Sequence, residues 1–357
     1  MLNFKKQSID LFNPCEVCSV FDVNNDGILD IVCGEYWYQG PDYNVKHKIC
    51  DIEHDGDYLH DFSDYPMDVN GDGYIDIITG NWWDEGLFWR ENPGPAGGEW
   101  KTHKVMELSN VETIRYYDID GDGEMEIFPN CPNEPAFFVK LKDGKFTKHV
   151  ISDVNAGHGI GIGDIDGDGK PEVIVPAGIL HMSEEGPYAG LWSLSDEFNL
   201  PHGWSVPVLL HDVNGDGSTD IIAAYGHNYG LVWYEQGSEN GKRTWTEHVI
   251  DNAWSQYHDM QLADINNDGI PELVTGKRYM AHNGRDPGDD GEVFVCYYTF
   301  RDNDRLYRHI IDYGSSSKGH SGVGLYFWLE DLNGNGFIDI IAPGKEGLYV
   351  FYNGGIS

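Results

Sequence analysis

Residues 160–175 read Ile160-Gly-Ile-Gly-Asp164-Ile-Asp166-Gly-Asp168-Gly169-Lys-Pro-Glu172-Val-Ile-Val175. The nine residues from Asp164 to Glu172 carry acids at positions one, three, five and nine and a glycine at six. Apolar residues alternate before this run, and a short apolar stretch follows it, which reads as strand, loop, strand. The phrase returns seven times, starting at Asp22, Asp68, Asp118, Asp164, Asp212, Asp264 and Asp331, with intervals of 46, 50, 46, 48, 52 and 67 residues. A period near fifty denotes a repeated supersecondary unit.

Oxygens on alternate residues of a tight turn converge on one hard cation, and glycine supplies the backbone angle that other residues resist. The expected calcium ligands are Asp22, Asn24, Asp26 and Asp30 in the first loop, and Asp68, Asn70, Asp72 and Asp76 in the second. Asp118, Asp120, Asp122 and Glu126 form the third set, and Asp164, Asp166, Asp168 and Glu172 the fourth. Asp212, Asn214, Asp216 and Asp220 follow, then Asp264, Asn266, Asp268 and Glu272. The seventh set, Asp331, Asn333, Asn335 and Asp339, is the poorest in charge. The last acid comes at nine rather than at the twelve of a helix-flanked calcium loop. Asp-Gly turns also close hairpins without metal.

The formal charge of -37 is less extreme than it looks, because 22 of the 60 Asp and Glu residues occupy these loop positions. The remainder argues against nucleic acid or an anionic membrane as partner. No run of about eighteen apolar residues is present, and the start MLNFKKQSID lacks the apolar core of a leader peptide. As given the chain reads as cytoplasmic; with a leader removed it would be periplasmic or secreted. Six cysteines do not follow the repeat, and the lone Cys15-x-x-Cys18 reads as buried thiols. Oligomeric state is left open.

Two more strand-like runs follow each loop pair in most repeats, such as Ala136–Lys140 and Phe146–Ile151, or Gly230–Tyr234 and Trp245–Ile250. Seven units of four strands describe an all-β, seven-bladed β-propeller spanning residues 1–357, with its loops between strands one and two. The chain ends on only a third strand, Gly347–Tyr352, and Phe4–Ile9 matches the missing fourth and would close the ring. This periodicity and loop chemistry resemble the FG-GAP or VCBS repeat propellers over the whole chain. That resemblance implies a fold, and its members range from adhesion modules and lectins to lyases and dehydratases.

If strand one of each blade lies nearest the axis, the loops mark one face and the opposite mouth is the functional one. His47, His103, His149, His248 and His309 recur in the outer-strand phrase and read as structural. Six residues before each loop stand Glu16, Phe62, Glu112, His158, Val206, His258 and Leu325. Glu16, Glu112, His158 and His258 are the expected ligands of an axial divalent metal such as zinc or manganese. His60, His202 and His320 lie just before their first strands. The turns between strands two and three are expected at the same mouth, bringing Tyr36, Trp82, Trp83, His181, His227, and the long run Gly276–Gly288 with Lys277, Arg278, Tyr279, His282 and Asn283. Aromatic faces stack on sugar rings while polar groups bond hydroxyls. His60, Tyr36, Trp82, Trp83, His227, Arg278, Asn283 and His320 are the expected sugar contacts. The 67-residue sixth interval carries the densest set, on a long loop of the kind that carries function.

Tyr257-His-Asp-Met-Gln-Leu262 and Thr275-Gly-Lys-Arg-Tyr-Met-Ala-His-Asn-Gly284 resemble segments of the propeller in the aldos-2-ulose dehydratases (1,5-anhydrofructose dehydratases). The resemblance implies a lyase on keto sugars with a metal in the propeller mouth. Elimination beside a ketone needs a base, an electrophile for the enolate oxygen and an acid for the departing hydroxyl. The expected roles fall to His158, His258 and His282 as metal or proton groups, Tyr279 or His282 as acid, and Lys277 or Arg278 as electrostatic support. Two alternatives remain: an ulvan-lyase-like enzyme on uronate glycans, and a calcium-stabilised carbohydrate-binding module without catalysis. No triad order and no phosphate loop is present; Gly94–Gly98 lacks a following P-loop lysine.

Overall fold

The computed structural model describes residues 2–200, 204, 207–301 and 305–356, so His202 and Val206 lie outside the described residues. Seven four-stranded antiparallel sheets form seven blades, and six of them run in chain order from first strand to fourth. In blade four, Gly161–Gly163 pairs with Glu172–Val175, which pairs with Gly178–His181 and then Ser193–Ser195. Blade seven is closed by the other terminus, because Leu2–Asp10 lies antiparallel to Leu348–Ile356 as its fourth strand. No described helix is long and apolar enough to cross a membrane.

The second strands explain their unbroken apolar character. Ile31 and Val32, Ile77 and Ile78, Val173 and Ile174, and Ile221 and Ile222 are all fully buried. Each sheet is covered on both faces by its neighbours, so a strand in its middle has no solvent side. The core is accordingly a series of layers between blades; Ile78 and Leu87 of blade two, for example, pack against Ile114, Ile127 and Phe137 of blade three. Loss of one such side chain opens a cavity in two blades at once.

The loops share one hydrogen-bonding scheme. The position-nine carboxylate begins each second strand and accepts the position-two amide, from Val23 to Asp30, Val69 to Asp76, Ile119 to Glu126, Ile165 to Glu172, Val213 to Asp220, Ile265 to Glu272, and Leu332 to Asp339. Where that residue is aspartate, its second oxygen accepts an amide from within or just past the third strand: Gly40, Asn92, Gln236 or Asn353. The position-one aspartate accepts the amide of the position-six glycine in all seven loops. Those glycines have φ between 84° and 90°, a conformation open to glycine and strained for other residues.

Histidines of the outer strands stack on the third-strand aromatics, with Trp37 and His47 at 4.1 Å, Trp89 and His103 at 4.5 Å, Trp233 and His248 at 4.4 Å, and Tyr297 and His309 at 4.6 Å. They are rim packing, as the repeat implies. All six cysteines are free and buried, and burial pushes Cys33 up to about 11.

Asp220→Ala strands the buried Val213 amide and the partly buried Gln236 amide and is expected to cost about 2–4 kcal/mol in urea unfolding in chelator, whereas Asp216→Ala, on the exposed loop, costs less than about 1 kcal/mol. Equal effects would contradict the hub role of position nine. Glu346 accepts the Gly322 amide while its other oxygen finds no partner, and burial raises it to about 7. A raised acid stabilises the fold below its unfolded value near 4.5, and that contribution is lost as pH climbs through about 7. Glu346→Gln is therefore expected to gain on the order of 1–2 kcal/mol over wild type at pH 8 and nothing at pH 5, read from urea midpoints at each pH.

Candidate metal centre

Four groups converge at the axial mouth. Glu112, His227 and His258 each present a ligand atom, all within 4.8 Å of one another. His158 joins them, with Nε2 3.2 Å from Glu112 Oε1 and 3.4 Å from His227 Nε2. Their chain positions explain the convergence. Glu112, His158 and His258 precede the first strands of blades three, four and six, and His227 lies in the turn between Asp220–Ala224 and Tyr229–Glu239 of blade five.

Outer groups orient the imidazoles. His158 Nδ1 donates to the Trp204 carbonyl at 3.1 Å, and His227 Nδ1 is 3.0 Å from Asp286 Oδ2. Both rings thereby turn Nε2 inward, the arrangement that fixes the tautomer of metal-ligating histidines. Burial, then His158 and His282, push His227 down to about 4, and burial and Arg278 push His258 well below its ordinary value. Burial opposes the charge on Glu112, yet His158 outweighs it and holds that carboxyl at about 2. Two neutral imidazoles facing an ionised carboxylate fit a divalent zinc-type ion.

The centre opens into a cavity of about 540 Å³. One wall is aromatic: Tyr58, Phe62, Trp82 and Trp83, with Trp83 5.5 Å from both Tyr58 and Phe62. The other carries Arg278, His282, Asn283, Arg285 and Asp286. His282 stacks on His227 at 4.4 Å and places Nδ1 2.8 Å from Asp286 Oδ2. Deeper along the first strands, Arg115 of blade three reaches across the axis to Asp259 of blade six at 2.9 Å.

Several expected residues sit elsewhere. Glu16 does not join the cluster, because Arg278 holds it through two bonds of 2.8 and 3.0 Å, both residues being buried. Tyr36 belongs to the third strand of blade one, since Cys33 pairs with Tyr36 across a two-residue turn, and it lies under Lys46. His60 stacks on the far side of Trp83 at 4.7 Å and bonds Asp84, so it backs the aromatic wall without lining the cavity. His320 bonds Asp312 at 2.6 Å, away from the mouth. Lys277 is buried against the Gly288 carbonyl, and Tyr279 does not line the cavity. His181 ends its third strand on the loop face, because the preceding turn is only Pro176–Ala177. Sequence reasoning missed Tyr58, set by a small hairpin of His54–Asp55 and Tyr58–Leu59, and Asp286, whose four-residue spacing from His282 was the available signal.

The loops do not fit calcium uniformly. In the third, Lys140 Nζ lies 3.3, 2.8 and 2.5 Å from Asp120, Asp122 and Glu126, so an ammonium occupies the place of an ion. This corrects the expectation for Asp118, Asp120, Asp122 and Glu126. In the seventh, Asn335 donates to the Asn353 carbonyl and Asn333 to Asp339, which leaves only two acids. In the first, second and fifth, one oxygen of Asp26, Asp72 or Asp216 accepts the position-seven amide and the other accepts the position-three asparagine side chain; in the sixth, Asn266 donates to Glu272 and Asp268 accepts the Ile270 amide.

The FG-GAP-like repeat profile matches residues 68–128, 118–175 and 212–275. The chain is a seven-bladed β-propeller, and those stretches of it match FG-GAP-like repeats. Among solved structures it is similar to BBS1N in complex with ARL6DN, soaked with mercury, at 10% identity and TM-score 0.57 over 97% of this chain and 94% of that one. The lead-soaked form of that complex gives 12% and 0.54, over 98% and 95%. At such identities the likeness concerns the fold. A search of curated proteins finds no match.

Glu16→Gln is expected to leave Arg278 buried and unpaired, at a cost of about 3–5 kcal/mol in unfolding, while pairing it with Arg278→Met recovers most of that loss. An unchanged midpoint in Glu16→Gln would show that the ion pair is not structural.

Proposed function

We propose that this chain is a divalent-metal-dependent carbon–oxygen lyase acting on a keto sugar or keto-glycoside. The observation that carries the reading is the juxtaposition of Glu112, His158, His227 and His258 with a half-aromatic, half-polar cavity of sugar size. The chemistry that a bound ion supplies here is polarisation of the ketone oxygen. Structural calcium in loops one, two, five and six is part of the same proposal.

The chain's own residues supply the rest. Trp82, Trp83 and Tyr58 offer faces for a sugar ring, and Asn283 and Asp286 offer hydroxyl partners. His282, with Nδ1 held by Asp286, keeps Nε2 for the substrate. It takes the hydrogen beside the ketone; the C–H electrons form the new double bond, and the hydroxyl one carbon further departs with its bonding pair. The same imidazole, now charged, returns the proton so that water leaves. Arg278, fixed by Glu16, lends a permanent positive charge as the oxygen gains electrons. The resemblance of Tyr257–Leu262 and Thr275–Gly284 to aldos-2-ulose dehydratases supports the substrate class.

A second reading has one observation in its favour. Arg285 lines the cavity and has no ion pair among the described residues, and such a guanidinium suits the carboxylate of a uronate glycan. Purified protein is expected to hold a transition metal at the mouth, one equivalent of which is lost in Glu112→Gln with His258→Ala, and to generate an enone absorbance from 1,5-anhydrofructose. His282→Asn should retain the metal and lose about 10²–10⁴-fold in turnover. Absorbance from unsaturated uronates alone would favour the second reading, and metal-free protein inert to both substrates would overturn the first.

A further inference from the structure

In loop four an imidazole stands beside the acids. The third-strand residue opposite position nine reaches over its own loop, and in blade three that residue is Lys140, whose ammonium touches positions three, five and nine. The spot is therefore built for a cation. In the other blades the same register places Gln39, Glu91, Glu235, Thr299 and Tyr352, none of which offers an imidazole or thiolate.

In blade four the residue is His181, since Val173 pairs with Leu180 and Glu172 therefore faces His181. Its Nδ1 lies 3.5 Å from Glu172 Oε1 and 3.8 Å from Asp166 Oδ2, and the three ligand atoms form a group within 4.8 Å. Two ligands bound at about 2.1 Å in tetrahedral geometry stand about 3.4 Å apart. The observed separations are long for hydrogen bonds and close to that value. Glu172 is held in place by the Ile165 amide at 2.9 Å, and Arg243, which bonds Glu197 at 2.7 Å, approaches Asp166 to 3.7 Å.

We infer that Asp166, Glu172 and His181 form a second transition-metal site, distinct from the axial centre and selective for zinc-type ions over calcium. A nitrogen donor among carboxylates favours ions such as zinc or cobalt, whereas the all-oxygen loops favour calcium. Arg243 subtracts from affinity by its charge while it fixes the Asp166 side chain. The site stands on the outer loop face, so its function is to brace blade four.

The test is a cobalt(II) titration of the full chain, metal-stripped, in a background of His227→Ala with His258→Ala that disables the axial centre. The visible absorbance of cobalt and calorimetry report the ion directly, and circular dichroism reports folding. One cobalt equivalent is expected that a tenfold excess of calcium does not displace, and His181→Ala should weaken it at least tenfold. Lys140→His, which recreates the same ligand set around Asp120, Asp122 and Glu126, should add a second equivalent. Cobalt binding absent in the background, or unaffected by His181→Ala, would overturn the assignment. Because the axial residues are already removed, failure here leaves the reading of the axial centre untouched.

Discussion

The bond from the position-two amide to the position-nine carboxylate is the constraint on which the rest depends. Repeated seven times, it ties each loop to the start of a fully buried second strand. It thereby sets where the first strand must end, and hence which residue enters the axial mouth six positions earlier. A carboxylate buried with two amide partners, as Asp76 and Asp220 are, is fixed in both position and direction. Side chains separated by more than a hundred residues can then bring their polar atoms within 4.8 Å of one another, as Glu112 and His258 do.

This division of labour lets the two faces evolve different chemistry. On the loop face, the residue across from position nine decides what balances the acids: an ammonium in blade three, an imidazole in blade four, a carboxylate or neutral group elsewhere. At the mouth, the turns between second and third strands vary in length, from two residues in blade one to the long excursion of blade six. Only the longer turns reach the axis. His227, Trp82, Trp83 and His282 line the cavity for that reason, whereas Tyr36 and His181 are drawn into their strands.

Much of this was legible in the residues. Spacing and loop chemistry are local, so blade number, strand order and ring closure by Leu2–Asp10 could be read directly. Counting back from the loops also found Glu112, His158 and His258, because the register is the same in every blade. Pairing among charges is not local. Glu16 occupies the right place on blade one, yet Arg278 claims it from blade six, and nothing in a linear pattern reports that. Lys140 was likewise invisible, since it enters the third loop from the neighbouring strand of its own blade. Turn length was the remaining error: one residue more or less decides whether a side chain faces the cavity or joins the sheet.

The proposed chemistry depends on an ion at the axial mouth. Crystals grown with zinc or manganese, measured at the absorption edge of that metal, test it most directly. An anomalous peak is expected about 2.0–2.2 Å from atoms of Glu112, His227 and His258, with His158 at or beside it. Full occupancy of loop sites with no peak among those four residues would contradict it.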